Sequence, residues 1–442
     1  MSRSISTLIL NDLNVSALDC DVKYLSEQLN RLHYTVSKVT TIERDPNTIS
    51  YEVEHGLKQN DFLIIIDYTL KDTLNSVCNV FNTELVLVQS INERNTSLEG
   101  VMVPKIAKIL EYDNSIKLSP VIYLGRLFII QEPNLKLVFE NILREYIEGF
   151  NYKISFVKQF YFKDCDIELN NSSKCNCLQI NCNKENEDQI LEVKSFDLKL
   201  LIEYQKKIKK KYGNQLTKEV YFLANIYNKN CFYHVHKAIE CIEACFKQYK
   251  PENIFLSFNG GKDCTVLLHL VLCVLKRHYP EFKERLICMY IQSLNPFHEV
   301  NSFIDLISNY HNLEIVTITK GVKEGLEIFL EDRPHLKACL MGTRRSDPYS
   351  EHLNVCQMTD SSWPQVMRIS PLLDWNYSDI WDYLLYFQVP YCDLYDQGYT
   401  SLGSINNTIK NPSLLYKIGC NEEVYLPAYK LLDGSKERDG RN

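Results

Sequence analysis

The residue types best suited to chemistry cluster in the second half of the chain. The first cluster is Ser257-Phe258-Asn259-Gly260-Gly261-Lys262-Asp263, which follows an apolar strand-like stretch and precedes a long helical pattern over 265–277. Adjacent glycines let a ligand approach the backbone without Cβ interference. A helix starting just after them offers free N–H groups and the positive end of its dipole, a site suited to phosphate. Lys262 adds a full charge. The pattern is neither Walker A nor the dinucleotide Gly-x-Gly-x-x-Gly. The competing reading, a plain strand-to-helix turn, leaves Ser257, Asn259, Lys262 and Asp263 around the glycines unexplained.

A second cluster, Met341-Gly342-Thr343-Arg344-Arg345-Ser346-Asp347-Pro348, follows another strand-like run. Two adjacent arginines supply positive charge suited to phosphate-bearing ligands, and Asp347 is placed to hold Mg²⁺ or orient a substrate group. The third cluster holds all three tryptophans, Trp363, Trp375 and Trp381, within twenty residues. Trp381 lies on an amphipathic helix, expected to be capped by Ser378, and is assigned to the core. Trp375 reads equally as core or ring wall. Trp363, in a polar loop with Asp360, is the expected wall for a large planar ring, whose N–H groups the carboxylate could accept.

These strings resemble one family. Ser-Phe-Asn-Gly-Gly-Lys-Asp-Cys (257–264) is similar to the pyrophosphate loop of the adenine-nucleotide α-hydrolase group, in the form carried by eukaryotic-type FAD synthases. Gly-Thr-Arg-Arg-Ser-Asp-Pro (342–348), Asp360 with Trp363, the stretch 390–412 and the ending 427–441 resemble the same family in order. The likeness spans about 230–442. It implies transfer of the adenylyl group of ATP to FMN, giving FAD and pyrophosphate with Mg²⁺, by in-line attack of an FMN phosphate oxygen that needs no general base. The implied roles are these. Ser257, Phe258, Gly260, Gly261 and Lys262 hold ATP, and Asn259 donates to its α-phosphate. Asp263 and Asp347 hold the metal. Arg344, Asp360, Trp363 and Arg441 bind FMN, and Arg438 clamps phosphate. Residues 438 and 441 stand three apart, so on one helical turn they share a face.

Two relatives of the same loop chemistry compete. A phosphoadenylyl sulfate reductase would place a cysteine nucleophile late in the chain, and Cys420 sits in Ile-Gly-Cys-Asn rather than the Glu-Cys-Gly-x-His of such enzymes. A tRNA-thiolating enzyme would want paired cysteines and a basic surface, yet from Pro251 onward 18 Lys and Arg meet 24 Asp and Glu, a net of −6. A non-catalytic nucleotide-binding protein would have lost the glycines or acidic groups that this half keeps.

The elements that must position these groups follow from periodicity. Helical and strand-like patterns alternate from about 231, with strands expected at 254–258, 286–291, 313–318 and 338–341. Their spacing is that of βαβ units and predicts a doubly wound parallel sheet with its crevice at the carboxyl ends of the strands. Residues 1–150 show a second α/β alternation, with a helix over 22–32. This half weakly resembles the molybdopterin-binding-like domain that precedes the synthase in animal FAD synthases. Residues 61–73 stand where that domain carries a glycine-rich loop, and the glycines and proline are gone. Hydrolase activity is therefore not expected there. Between lies a connector, 151–230, with a polar, loop-like insert over 170–186 and a basic run at 206–211 read as a solvated face.

Composition bounds the rest. The 442 residues are 45% hydrophobic and 24% charged, ordinary for a globular protein with a core. No run approaches the ~20 apolar residues of a membrane helix, and the apolar start at 5–10 is too short for a signal peptide. The sixteen cysteines lack regular spacing, and Cys175, Cys177 and Cys182 lack a zinc-knuckle pattern. Reduced thiols and a cytoplasmic setting are expected. The net charge of −7 argues against nucleic-acid binding. The partners expected are ATP and FMN, with FAD passed on to apo-flavoproteins.

Overall fold

The computed structural model describes residues 3–10, 15–32, 34–67, 69–88, 101–110, 121–131, 134–144, 156–163, 178–185, 188–195, 216–221, 233–282, 284–418 and 422–441, with a few isolated positions between 119 and 210. In the first half, strands β1 (Arg3–Leu10), β2 (Tyr34–Ile42) and β3 (Phe62–Ile66) alternate with helices α1 (Val15–Arg31), α2 (Pro46–Gln59) and α3 (Lys71–Phe81). They join β4 (Lys108–Leu110), β5 (Val121–Leu124) and β6 (Leu127–Ile130) in a six-stranded sheet of order β2-β1-β3-β6-β5-β4. The apolar run 121–130 divides at Gly125, whose φ of +57° makes the turn of a hairpin.

Residues 178–185, read from composition as part of a loop, instead form strand Leu178–Glu185. It pairs antiparallel with Asp188–Ser195 in a four-stranded sheet. Asparagine and lysine lower strand propensity but do not forbid a ladder made by backbone groups. Cys175 and Cys177 lie outside the described residues.

The second half contains α4 (Tyr233–Tyr249), β7 (Ile254–Ser257), α5 (Lys262–His278), β8 (Ile287–Ile291), α6 (His298–His311), β9 (Glu314–Ile318), α7 (Val322–Asp332), β10 (Ala338–Leu340), β11 (Cys356–Met358), β12 (Met367–Ile369) and α8 (Tyr377–Tyr386). The sheet order is β9-β8-β7-β10-β12-β11, parallel except for the antiparallel edge strand β11. Chain direction across the sheet reverses between β7 and β10, so the loops leaving these two strands flank the switch point. β7 is buried because α5, apolar on nearly every side, covers it with Val266, Leu267, Leu270, Val271 and Val274. Phe255, Met289, Phe329 and Cys339 fill the other face.

Helix α8 starts two residues earlier than its sequence suggested. Asn376, not Ser378, is the cap: its Oδ1 accepts the Asp379 N–H at 3.0 Å, and Asp379 accepts the Asn376 N–H at 3.0 Å. This reciprocal box satisfies two end donors, where Ser378 could satisfy one. Trp375 and Trp381 are both core. The two halves share buried charge: Lys108 pairs with Asp379 at 3.1 Å and Asp382 at 2.8 Å. Arg126 and Lys430 both donate to the carbonyls of Leu57 and Asn60 at the end of α2. Burial, reinforced by Arg126, brings the Lys430 ammonium down to about 6. Among the described residues no helix is long and apolar enough to cross a membrane.

Candidate active site

The glycine loop leaves β7 at Ser257 and enters α5 at Lys262. Gly260 has φ of +73°, and a Cβ there would meet Ile304 Cγ1 at 3.0 Å, so both conformation and packing on α6 require glycine. Gly261 is the helix N-cap and brings no side-chain cap of its own. Asn259 supplies one from outside: its Oδ1 accepts the Gly261 N–H at 3.0 Å, leaving its amide NH₂ on an exposed residue. The next N–H, of Lys262, donates to the Tyr395 hydroxyl at 2.9 Å. Phe258 is buried.

The second loop crosses directly over this turn. A Cβ on Gly342 would lie 2.9 Å from Cys264 N and 3.0 Å from Asp263 C, so backbone packs on backbone here. That contact brings Arg344 to Asp263. Arg344 Nε stands 2.7 Å from Asp263 Oδ1, and its Nη2 bonds Glu437 at 2.6 and 2.7 Å. Lys262 Nζ pairs with Asp263 at 3.0 Å and with Glu437, over the rings of Tyr377 and Tyr395. Burial raises the Asp263 carboxyl, but Lys262 and Arg344 outweigh it and hold the group below its usual range.

This arrangement corrects two expectations. Lys262 and Arg344 do not present free charge to the crevice: they are 2% and 1% exposed and committed to carboxylates. Of these two side chains, Arg344 Nη1 is a buried donor without a hydrogen-bond partner among the described residues, and Arg344 Nε meets Asp263 through the ion pair alone. Asp263 is likewise a poor metal ligand, since each of its oxygens faces a cation. Arg345 points elsewhere, to Asp374 at 2.5 Å and to the Glu351 and Leu353 carbonyls.

Asp347 accepts the Arg344 N–H at 2.9 Å through Oδ2. Its Oδ1 lies 3.8 Å from Arg438 Nη1, an ion pair too long for a hydrogen bond. Burial leads in raising this carboxyl above its usual range. A half-open carboxylate of this kind fits Mg²⁺, which takes one or two carboxylates together with substrate phosphates. The C-terminal segment, which composition alone would leave frayed, is ordered. Ile409 N–H donates to the Gly440 carbonyl at 2.9 Å, and Arg441 Nη1 donates to the Leu402 carbonyl at 2.7 Å.

Asp360 and Trp363 stand in the loop entering β12, at the amino end of the parallel strands. Asp360 is exposed, while Trp363 packs half-buried against the cluster of Phe255 and Phe329. The structure thus gathers 257–263, Arg344, Asp347 and Arg438 at one rim and sets Asp360 and Trp363 a strand length away, about 10 Å for three residues. Sequence reasoning missed Glu437, Tyr395, Thr400 and Asn411. Buried polar residues in or beside short 3₁₀ turns and bends carry no periodic signal, and only the family-like strings around them marked the region.

Residues 253–410 match the family model for the phosphoadenosine phosphosulfate reductase domain. The chain is 41% identical over 209 residues to a probable FAD synthase of Schizosaccharomyces pombe, covering 46% of this chain and 77% of that protein. It is 40% identical over 210 residues to a probable FAD synthase of Caenorhabditis elegans, covering 47% of this chain and 40% of the other. Among solved structures, Candida glabrata FMN adenylyltransferase in complex with FMN and the ATP analogue AMPCPP superposes with a TM-score of 0.45 at 29% identity. That match covers 48% of this chain and 94% of the other.

Proposed function

The chain belongs to the FAD synthase family, and we propose that it joins ATP and FMN as follows. ATP lies along the loop 257–261 at the switch point, with its phosphates toward the amino end of α5 and the exposed amide of Asn259 on the α-phosphate. FMN extends from Arg438, which stands between its phosphate and those of ATP, to Trp363, with the ribityl chain bridging the strand length between and Asp360 accepting from the ring. An FMN phosphate oxygen attacks the α-phosphorus in line, forming the new P–O bond as the bond to pyrophosphate breaks. The nucleophile is already an anion, so this chain's residues align and neutralise rather than move a proton. Bound at Asp347 and the phosphates, Mg²⁺ would supply charge neutralisation. Lys262 and Arg344 serve from beneath, holding the Asp263 carboxylate and with it the start of α5.

The observation that carries this reading is the glycine loop, held by the left-handed Gly260 and capped by Asn259, at the switch point of the parallel sheet. A reductase of this fold would bring its nucleophile from late in the chain, where Cys420 lies outside the described residues, and burial pushes the thiol beside the loop, Cys264, up to about 12. The test is incubation of the purified chain with ATP, Mg²⁺ and FMN, followed by chromatography. FAD and pyrophosphate should form in equal amounts and depend on all three additions. Absence of FAD with a folded, ATP-binding protein would refute the proposal.

A further inference from the structure

We infer that Glu437 is a positioning residue, whose carboxylate docks the C-terminal segment on the glycine loop and thereby aims Arg438 at the phosphate crevice beside Asp347. The substrate named here rests on the FAD synthase reading, whereas the geometry does not.

Glu437 is 6% exposed, in a charged stretch that has no apolar reason to be buried. An ionised carboxylate is driven out of water only where partners compensate it, and it has two: Lys262 and Arg344, from the two loops flanking the switch point. The helix it belongs to, Gly434–Arg438, is a five-residue 3₁₀ turn, too short to stand without tertiary support. Other contacts hold its backbone. Thr400 Oγ1 donates to the Glu437 carbonyl at 2.7 Å, and Asn411 Nδ2 donates to the Lys436 carbonyl at 2.8 Å. Both come from the segment after α8, so neither ties the tail to the glycine loop. Glu437 does.

Arg438 follows at once. Consecutive residues of a 3₁₀ helix are about 120° apart, so turning Glu437 inward fixes the direction of its neighbour. The Arg438 side chain is 42% exposed and faces Asp347 at 3.8 Å, with hydrogen-bonding capacity left for a phosphate. Glu437 itself is sealed off from substrate. It acts by fixing where the arginine stands.

The test is a double-mutant cycle in the full chain, with inorganic pyrophosphate as the probe and calorimetry as the readout. Arg438→Ala should weaken pyrophosphate binding by about tenfold or more. Glu437→Gln should weaken it to a similar degree although it touches no phosphate, and the double variant should bind no more than about twofold worse than Arg438→Ala alone. In FAD formation, both single variants should lower kcat by about tenfold and change the KM for ATP less. Should Glu437→Gln fail to fold, Glu437→Asp keeps the charge with one methylene fewer and enters the same cycle. The inference is overturned if the position 437 variants bind pyrophosphate as the wild type does, if the two effects multiply, or if the wild type does not bind it. A wild type that binds pyrophosphate but makes no FAD would refute the functional reading alone, and the binding cycle would still decide the role of Glu437.

Discussion

Replacing Gly342 with alanine tests whether the two loops at the switch point form one unit. The added Cβ would sit 2.9 Å from Cys264 N, 3.0 Å from Asp263 C and 3.1 Å from Cys264 Cα, all backbone atoms that cannot swing aside. Ordinary contact begins at 3.4 Å, so the loop and the amino end of α5 must part by at least 0.5 Å. Overpacking of this kind costs about 1–3 kcal/mol, a fall in melting temperature of a few to about ten degrees. The displaced atoms include the backbone of Asp263. Since a misplacement of about 1 Å can cost roughly 10²-fold in rate, half that shift should lower FAD turnover about tenfold. Gly321→Ala is the control: Gly321 caps α7, and a Cβ there meets nothing within 4 Å. Calorimetric melts and chromatographic FAD assays on both variants decide the matter. If they cannot be told apart, the backbone contact does not govern the site.

Five further outcomes are expected. Asn259→Ala removes an exposed cap and the proposed α-phosphate donor, so turnover should fall about 10²-fold with the melting temperature nearly unchanged. Asp263→Ala should lower both, because Lys262 and Arg344 lose a carboxylate, and melts beside FAD assays separate the two cases. Burial holds buried His269 at about 4, below the ~6.5 of an exposed imidazole. The unfolded chain therefore takes up this proton first as pH falls, and the stability present above pH ~6.5 is lost toward pH 4. By pH 5 the loss is about 2 kcal/mol, and denaturant titrations should show that His269→Gln is spared it. Lys108→Met leaves Asp379 and Asp382 buried without their cation, which should cost about 3–5 kcal/mol in denaturant titration. For the same reason, a fragment starting near Asn214 should melt well below the full chain.

The parallel sheet was legible because its strands are short, buried and regularly spaced between helices long enough to show a 3.6-residue period. The glycine loop was legible for another reason: Gly260 and Gly261 between a strand and a helix have few structural uses. What escaped was partnership. Lys262 and Arg344 announce positive charge in the sequence, but only the fold shows that Asp263 and Glu437 already hold them, the latter 175 residues away from Lys262. Ser378 was a plausible cap by type, and Asn376 won because Asp379 could reciprocate. In the connector, composition suggested a loop where backbone pairing with 188–195 makes a strand.

The site contains Lys262, Arg344 and Arg438 against Asp263, Asp347 and Glu437, three charges of each sign in contact. Such a cluster casts almost no field beyond a few ångströms, and the whole chain is at −7. Anionic nucleotides thus arrive by unassisted diffusion, against a weak general repulsion rather than along a positive funnel. Added salt screens that repulsion and does not weaken an attraction. Encounter with ATP or FMN should then quicken slightly with ionic strength, the reverse of an enzyme that draws its phosphates in from a distance.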